Sequence, residues 1–178
     1  MTSRLEQLES RLTTLNEQLA GLETALDLSP MEEQTRLKQR IKKLRTDMAP
    51  VEAEKWQILA ANSAQLEITE PEAEVIVGEL VTQVSQLETQ ATTQQNEAIL
   101  QVLHEIRAQL DRATLSSPDK VRGALSSFPP FIGVFYEADL DSPIALPKSF
   151  GGFCQQYFPT FTGSVEKLAG LLRAQSKK

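Results

Sequence analysis

The chain contains one histidine and one cysteine, His104 and Cys154, which could serve as a catalytic base and a nucleophile. A cysteine nucleophile needs a nearby base to hold it as the thiolate, and only His104 could be that base. The sequence around Cys154 has no signature of a catalytic nucleophile, and His104 lies in a stretch of helical periodicity. We therefore interpret Cys154 as a small apolar core residue and His104 as a structural or solvent-facing residue.

Other arrangements that could bind a metal or a cofactor are weak in this sequence. One histidine and one cysteine cannot build the usual tetrahedral zinc sets within one chain. Glu137, Asp139 and Asp141 alternate and could bind a cation, but they lack the loop glycine and the terminal glutamate of an EF-hand, so we interpret them as a solvated loop. No phosphate-binding or dinucleotide-binding motif occurs. We expect no catalytic residue, no cofactor and no metal, and hence a protein that is not an enzyme.

The charge of the chain bears on its partners and its location. The net charge is −6 and the isoelectric point is about 4.9, which argues against a nucleic-acid partner because binding phosphates requires surplus basic residues. We interpret the one basic run as a solvated, salt-bridged helix face; it comprises Arg36, Lys38, Arg40, Lys42, Lys43 and Arg45. The single cysteine fits a reducing compartment, and the first residues lack the apolar core of a signal peptide. We expect a cytoplasmic protein.

The first 48 residues have the pattern of a coiled-coil hairpin. Leucines from Leu5 to Leu26 recur at alternating spacings of three and four, which keeps one seam of a helix apolar. Ser29, Pro30 and Glu32 form a stop and a new start of capping-box type, and a second seam follows. The short connection predicts two antiparallel helices over residues 1–48. We expect the seam to be either interface or hairpin core; its residues are Leu5, Leu12, Leu19, Leu37, Ile41, Leu44 and Met48.

Residues 49–115 have the pattern of a further helical region. Pro50 predicts a kink or a fresh start, followed by a third, shorter helical stretch. Thr69 with Glu72 repeats the capping arrangement and predicts another helix start. The apolar stripe of that helix changes phase across residues 90–96, which indicates either a stutter or a turn. We favour one long helix, because no glycine or proline interrupts this stretch.

Residues 116–178 are rich in phenylalanine and proline. A short helix is predicted from Ser117 to Phe128, where Pro129 would end it, and the segment 131–136 is interpreted as buried and extended. Two amphipathic helices are predicted around residues 150–157 and 165–172. We expect this region to pack on the helix that carries Ile99 and Ile106. The predicted fold class is all-α, with an antiparallel hairpin, a further long helix and a small, mostly irregular-helical C-terminal part.

Four segments of the chain resemble parts of a known class of proteins. The hairpin turn Leu26–Pro30, the basic helix 36–44 and the tail segments 128–141 and 157–161 resemble the short helical effector-associated modules of bacterial conflict systems. In such systems the modules join sensor proteins to effectors through like-with-like contacts. The resemblance implies an adaptor and transfers no catalytic residue, and this chain departs from the pattern because it carries no effector or switch domain.

We therefore expect a non-enzymatic oligomerisation or adaptor protein that acts through helical protein–protein contacts in a bacterial defence or signalling assembly. Its partner would be a second copy of the chain or a larger effector or sensor protein. The alternative is a membrane-active effector that releases the segment 128–136 and the last amphipathic helix to bind lipid. The acidic net charge and the acids after residue 136 argue against that alternative.

Overall fold

In a computed structural model, residues 3–93, 95–137 and 149–177 are described, and they form seven α-helices and no strand. This confirms the predicted all-α fold class. The helices are α1 Arg4–Leu28, α2 Met31–Ala61, α3 Glu70–Thr93, α4 Glu97–Leu110, α5 Ser117–Glu137, α6 Phe150–Tyr157 and α7 Pro159–Ser176. A short 3₁₀ turn, Ser63–Gln65, follows α2.

Helices α1 and α2 form the predicted antiparallel hairpin. Arg4, at the start of α1, forms an ion pair with Glu54, near the end of α2, with 2.6 Å between Nε and Oε1. All seven predicted seam residues are buried, so the seam is core within a single chain. The seam joins the two helices to each other and to the rest of the molecule.

The turn between these helices differs from the predicted capping box. The Ser29 hydroxyl donates to the carbonyl oxygen of Ala25 at 2.5 Å and so completes the end of α1. Pro30 is the N-cap of α2, and it has no side-chain capping bond. The prediction that Ser29 caps α2 with Glu32 is wrong, because the serine hydroxyl is used by the preceding helix.

Helix α2 continues through Pro50, so the predicted start of a third helix there is wrong. Proline lacks an N–H and removes one bond of the helix ladder. The residues around it, Met48, Val51 and Trp56, are all buried. Burial of this face against α5 and α1 offsets the missing hydrogen bond.

The predicted start of α3 is confirmed, whereas the predicted continuous helix through residues 90–96 is wrong. Thr69 Oγ1 accepts from Glu72 N at 3.3 Å, and Glu72 Oε2 accepts from Thr69 N at 3.2 Å, which is a reciprocal capping box. Gln95 has a φ of 56°, and Asn96 caps α4 by accepting from Ile99 N at 3.2 Å. The change of phase therefore marks a turn, and α4 folds back along α3.

Helix α5 also differs from the prediction, because it continues through Pro129 and Pro130 to Glu137. The predicted end at Phe128 and the predicted extended segment 131–136 are both wrong. Phe128, Phe131 and Phe135 are spaced by three and four, so a helix places their rings on one side, where all three are buried. Pro129 is half-buried and Pro130 is exposed, so the prolines lie away from that buried side.

The aromatic rings form one cluster around α5, and α5 packs on α2, α3 and α4. The predicted packing on the helix that carries Ile99 and Ile106 is therefore confirmed for α5. The cluster also extends to Trp56 of α2, whose ring centroid is 5.3 Å from that of Phe128.

Helix α7 closes the aromatic cluster through Phe161, whose ring centroid is 4.9 Å from that of Phe128. Helix α7 has no side-chain cap of its own. The carboxylate of Glu79, in α3, accepts from Thr160 N and Phe161 N at 3.1 and 3.0 Å instead. The start of α7 is thus fixed by α3.

Candidate functional site

A groove lies on the surface of the hairpin, between α1 and α2. It encloses about 500 Å³ and is lined by Gln18, Gly21, Leu22, Arg40, Lys43, Leu44 and Asp47. Leu44 and the half-buried Leu22 give it an apolar floor. A Cβ atom at Gly21 would meet nothing within 4 Å, so the missing side chain leaves open space in the groove. The leucine pattern predicted the buried seam but not the groove. The signal for the groove was Gly21, a residue without a side chain beside the seam.

Basic side chains line one rim of this groove. Arg40 and Lys43 line the groove, and Arg36, one turn before Arg40, lies outside the lining on the same side of α2; all three are exposed. None of the three forms an ion pair with any residue that the structure describes. The predicted basic face is therefore solvated here, and its salt-bridged character does not extend to these residues. Because their charges are not neutralised locally, they are available to an acidic partner.

An acidic surface lies at the start of α3. Glu67, Glu70, Glu72 and Glu74 are all exposed, and the apolar side chain of Val75 is 61% exposed among them. Val75 borders a groove of about 420 Å³ between α3 and α7, on whose far side lies Lys167. Arg122 Nη2 donates to the carbonyl oxygen of Leu66 at 2.9 Å and forms an ion pair with Asp119. The four carboxylates outnumber the nearby cations, which leaves this surface negative.

A buried polar cluster joins α2, α5 and α6. The Tyr136 hydroxyl donates to Glu52 Oε2 at 2.5 Å and accepts from Phe150 N at 3.0 Å. Arg45 Nη2 donates to the carbonyl oxygen of Phe135 at 3.1 Å, and the guanidinium carbon is 5.6 Å from the ring centroids of both Phe135 and Tyr136. Arg45 is 5% exposed and Glu52 6% exposed, so these charges are held inside the core.

Burial controls the protonation of this cluster. It raises the pKa of the Glu52 carboxyl above its ordinary value, an effect that the hydrogen bond from Tyr136 partly reverses. Burial and the adjacent carboxylate raise the pKa of the Tyr136 phenol, and burial lowers the pKa of Arg45. The tyrosine therefore stays protonated and acts as a fixed donor, and we assign the cluster a structural role.

Sequence reasoning missed this polar cluster. Arg45 was grouped with the exposed basic run, and this assignment is wrong because its side chain is buried against α5. The overlooked signal was the spacing: Arg45 and Glu52 are seven residues apart and flank the buried Met48, so they share one side of α2.

The residues considered for catalysis are not brought together. Cys154 is fully buried among the aromatic residues, and burial raises the pKa of its thiol, which favours the unreactive form. His104 is exposed on α4, and Glu137 is exposed at the end of α5. Asp139 and Asp141 lie outside the described residues.

The other roles considered from the sequence are metal binding and insertion into a membrane. Within residues 3–93, 95–137 and 149–177, no three histidine, cysteine or acidic side chains are grouped so that they could hold a metal ion. No helix in the same part of the chain is long and apolar enough to cross a membrane. The aromatic residues of the segment 128–136 are all buried, and so are Val165 and Leu168 of α7.

Comparisons with protein-family models, with curated proteins and with solved structures find no match to this chain.

Proposed function

We propose that this protein is a non-enzymatic adaptor whose N-terminal hairpin binds an acidic helical surface of a protein partner. The observation that carries the proposal is the groove between α1 and α2, with an apolar floor and a rim of basic side chains that pair with no described residue. A groove of this kind suits an amphipathic helix, whose apolar side would cover Leu22 while its acids face Arg40 and Lys43.

The arrangement of the core supports the same role. The leucine seam holds the hairpin together within the chain, so partner binding does not require the hairpin to open. The groove lies on preformed helices, which lowers the loss of conformational freedom on binding. The exposed basic side chains favour rapid encounter with an acidic surface.

The biological setting that we propose is a bacterial defence or signalling assembly, on the basis of the resemblance of the hairpin and the tail segments to effector-associated modules. The membrane-active alternative receives no comparable support. It requires the rings that pack around Trp56 and Phe128 to leave the core before they can bind lipid.

The proposal is tested by affinity capture from an extract of the native host, followed by mass spectrometry. The groove variant Arg40→Glu/Lys43→Glu reverses two rim charges. The matched control Lys42→Glu/Arg112→Glu makes the same change of net charge at exposed residues outside the groove lining. Circular dichroism checks that both variants retain the helix content of the native protein.

We expect the native protein and the control to retain the same partner, and the groove variant to lose it. A partner retained equally by all three proteins would place the binding surface elsewhere. Retention of no partner by the native protein, together with vesicle binding, would support the membrane-active alternative.

A further inference from the structure

We propose that the acidic surface bound by the hairpin groove is the start of α3 in a second copy of the same chain, so that copies associate head to tail. This inference rests on the proposed function, because it names the partner of the same groove. A second copy is selected as the partner because two surfaces of the same molecule carry opposite charges, and one offers an exposed apolar side chain where the other has a gap.

The charges of the two surfaces are opposite. The groove lining offers Arg40 and Lys43 against one acid, Asp47, and Arg36 lies one turn away on the same side of α2. The start of α3 offers Glu67, Glu70, Glu72 and Glu74. Both sets are exposed, so contact between them would replace solvated charges by opposite pairs across an interface. Charges arranged in this way steer two molecules into one orientation and speed their encounter.

The two surfaces also offer a gap and an exposed apolar side chain. The hairpin groove has open space at Gly21 above Leu22 and Leu44. The acidic surface presents Val75, an apolar side chain that is 61% exposed on α3. A helix carrying Val75 can place this side chain over the gap at Gly21, as a knob fits a hole between packed helices. The apolar contact would lie at the centre, with the charges around it.

The pairing is head to tail because each surface repels its own kind. Two hairpin grooves brought face to face would set Arg40 and Lys43 against like charges, and two α3 surfaces would set glutamates against glutamates. When the groove of one copy binds the α3 surface of another, one groove and one α3 surface of the pair remain unoccupied. Further copies can therefore add until a ring closes or a chain forms.

The experiment measures the mass of the whole chain in solution by light scattering, over concentrations from about 5 to 500 µM at low salt. The groove variant is again Arg40→Glu/Lys43→Glu. The α3 variant is Glu67→Lys/Glu74→Lys, which spares Glu72 because this residue caps α3. Lys42→Glu/Arg112→Glu is again the control, and it matches the groove variant in net charge. Circular dichroism confirms that every variant is folded.

We expect the native chain and the control to exceed the monomer mass of 19.8 kDa as concentration rises, and to return towards it at high salt. Each reversed variant alone should remain a monomer. An equimolar mixture of the two should exceed the monomer mass, because the α3 variant keeps a native groove and the groove variant keeps a native α3 surface. The reversed groove and the reversed α3 surface are also opposite in charge, so copies of the two variants can alternate.

Three results would overturn the inference. These are a native chain that stays monomeric throughout, a groove or α3 variant that still associates alone, and a mixture of the two variants that does not combine. If the native chain is monomeric while capture from the extract still depends on Arg40 and Lys43, self-association fails and the adaptor function stands. If capture is also independent of these residues, both proposals fail.

Discussion

Replacement of Tyr136 by phenylalanine tests the role of the buried polar cluster. The change removes one hydroxyl and keeps the ring that packs on Phe135. Glu52 Oε2 then loses a donor at 2.5 Å, and Phe150 N loses an acceptor at 3.0 Å. A hydrogen bond contributes about 0.5–1.5 kcal/mol between neutral groups and about 1.5–3 kcal/mol when one group is charged, and a buried donor left without a partner costs about 1–3 kcal/mol. We expect Tyr136→Phe to lower the free energy of unfolding by about 3 kcal/mol.

The measurement is urea denaturation at neutral pH, followed by circular dichroism, with a parallel thermal melt. For a chain of this length a loss of about 3 kcal/mol lowers the melting temperature by about 9 °C. Tyr157→Phe is the matched control, because the ring of Tyr157 is only half-buried and removal of its hydroxyl should change the free energy of unfolding by less than about 0.5 kcal/mol.

A double-mutant cycle with Glu52→Gln separates the carboxylate from the rest of the effect. The neutral amide of glutamine forms a weaker hydrogen bond with the Tyr136 hydroxyl than a carboxylate does. Tyr136→Phe should therefore lower the free energy of unfolding by less in the Glu52→Gln background, the difference being about 1 kcal/mol or more. A loss below about 0.5 kcal/mol for Tyr136→Phe in the native background would refute the structural role assigned to this hydroxyl.

Three further predictions concern single positions. Burial raises the pKa of the Glu52 carboxyl above 4.5, its value in an unfolded chain, so the folded state binds this proton more tightly than the unfolded state does. The protonated carboxyl therefore stabilises the fold at low pH, and this contribution is lost as pH rises through the folded pKa. Glu52→Gln should remove this loss in urea titrations between about pH 4 and pH 8, and an unchanged pH profile would contradict it. Phe128→Ala should lower the free energy of unfolding by about 3–5 kcal/mol in the same assay, because the ring is fully buried among other rings; a loss under about 1 kcal/mol would mean that the cluster repacks. Gln95→Gly should raise the melting temperature, because a residue with a side chain at a φ of 56° carries about 1 kcal/mol of strain, and a lower melting temperature would show that the side chain stabilises the turn.

The parts of the fold that sequence predicts well are those in which one local rule operates. The spacing of the leucines from Leu5 to Leu26 and the Thr69–Glu72 box each specify a helix without reference to distant residues, and the structure contains both. Pro50 and Pro129 misled the prediction, because burial of the residues around them outweighs the loss of a backbone hydrogen bond, and that burial depends on helices far along the chain.

The candidate surfaces were harder to predict than the helices. The basic run was visible in the sequence, but its division into an exposed rim at Arg40 and a buried residue at Arg45 depends on where α5 packs. The groove depends on the absence of a side chain at Gly21, and absence gives a weak signal in a sequence rich in leucine. The acidic surface became distinct only when the structure left Val75 exposed among its glutamates.

The carboxylate of Glu79, which caps the start of α7, has a consequence for the order of folding. Its two hydrogen bonds reach Thr160 N and Phe161 N, which are 81 and 82 residues away along the chain. Helix α7 has no cap of its own, so its first turn gains these bonds only after α3 has formed and the two helices have met. Closure of so long a loop is slow compared with the formation of a local helix. The N-terminal hairpin can thus form from nearby contacts, and α7 is stabilised late, when the chain has already brought α3 into place.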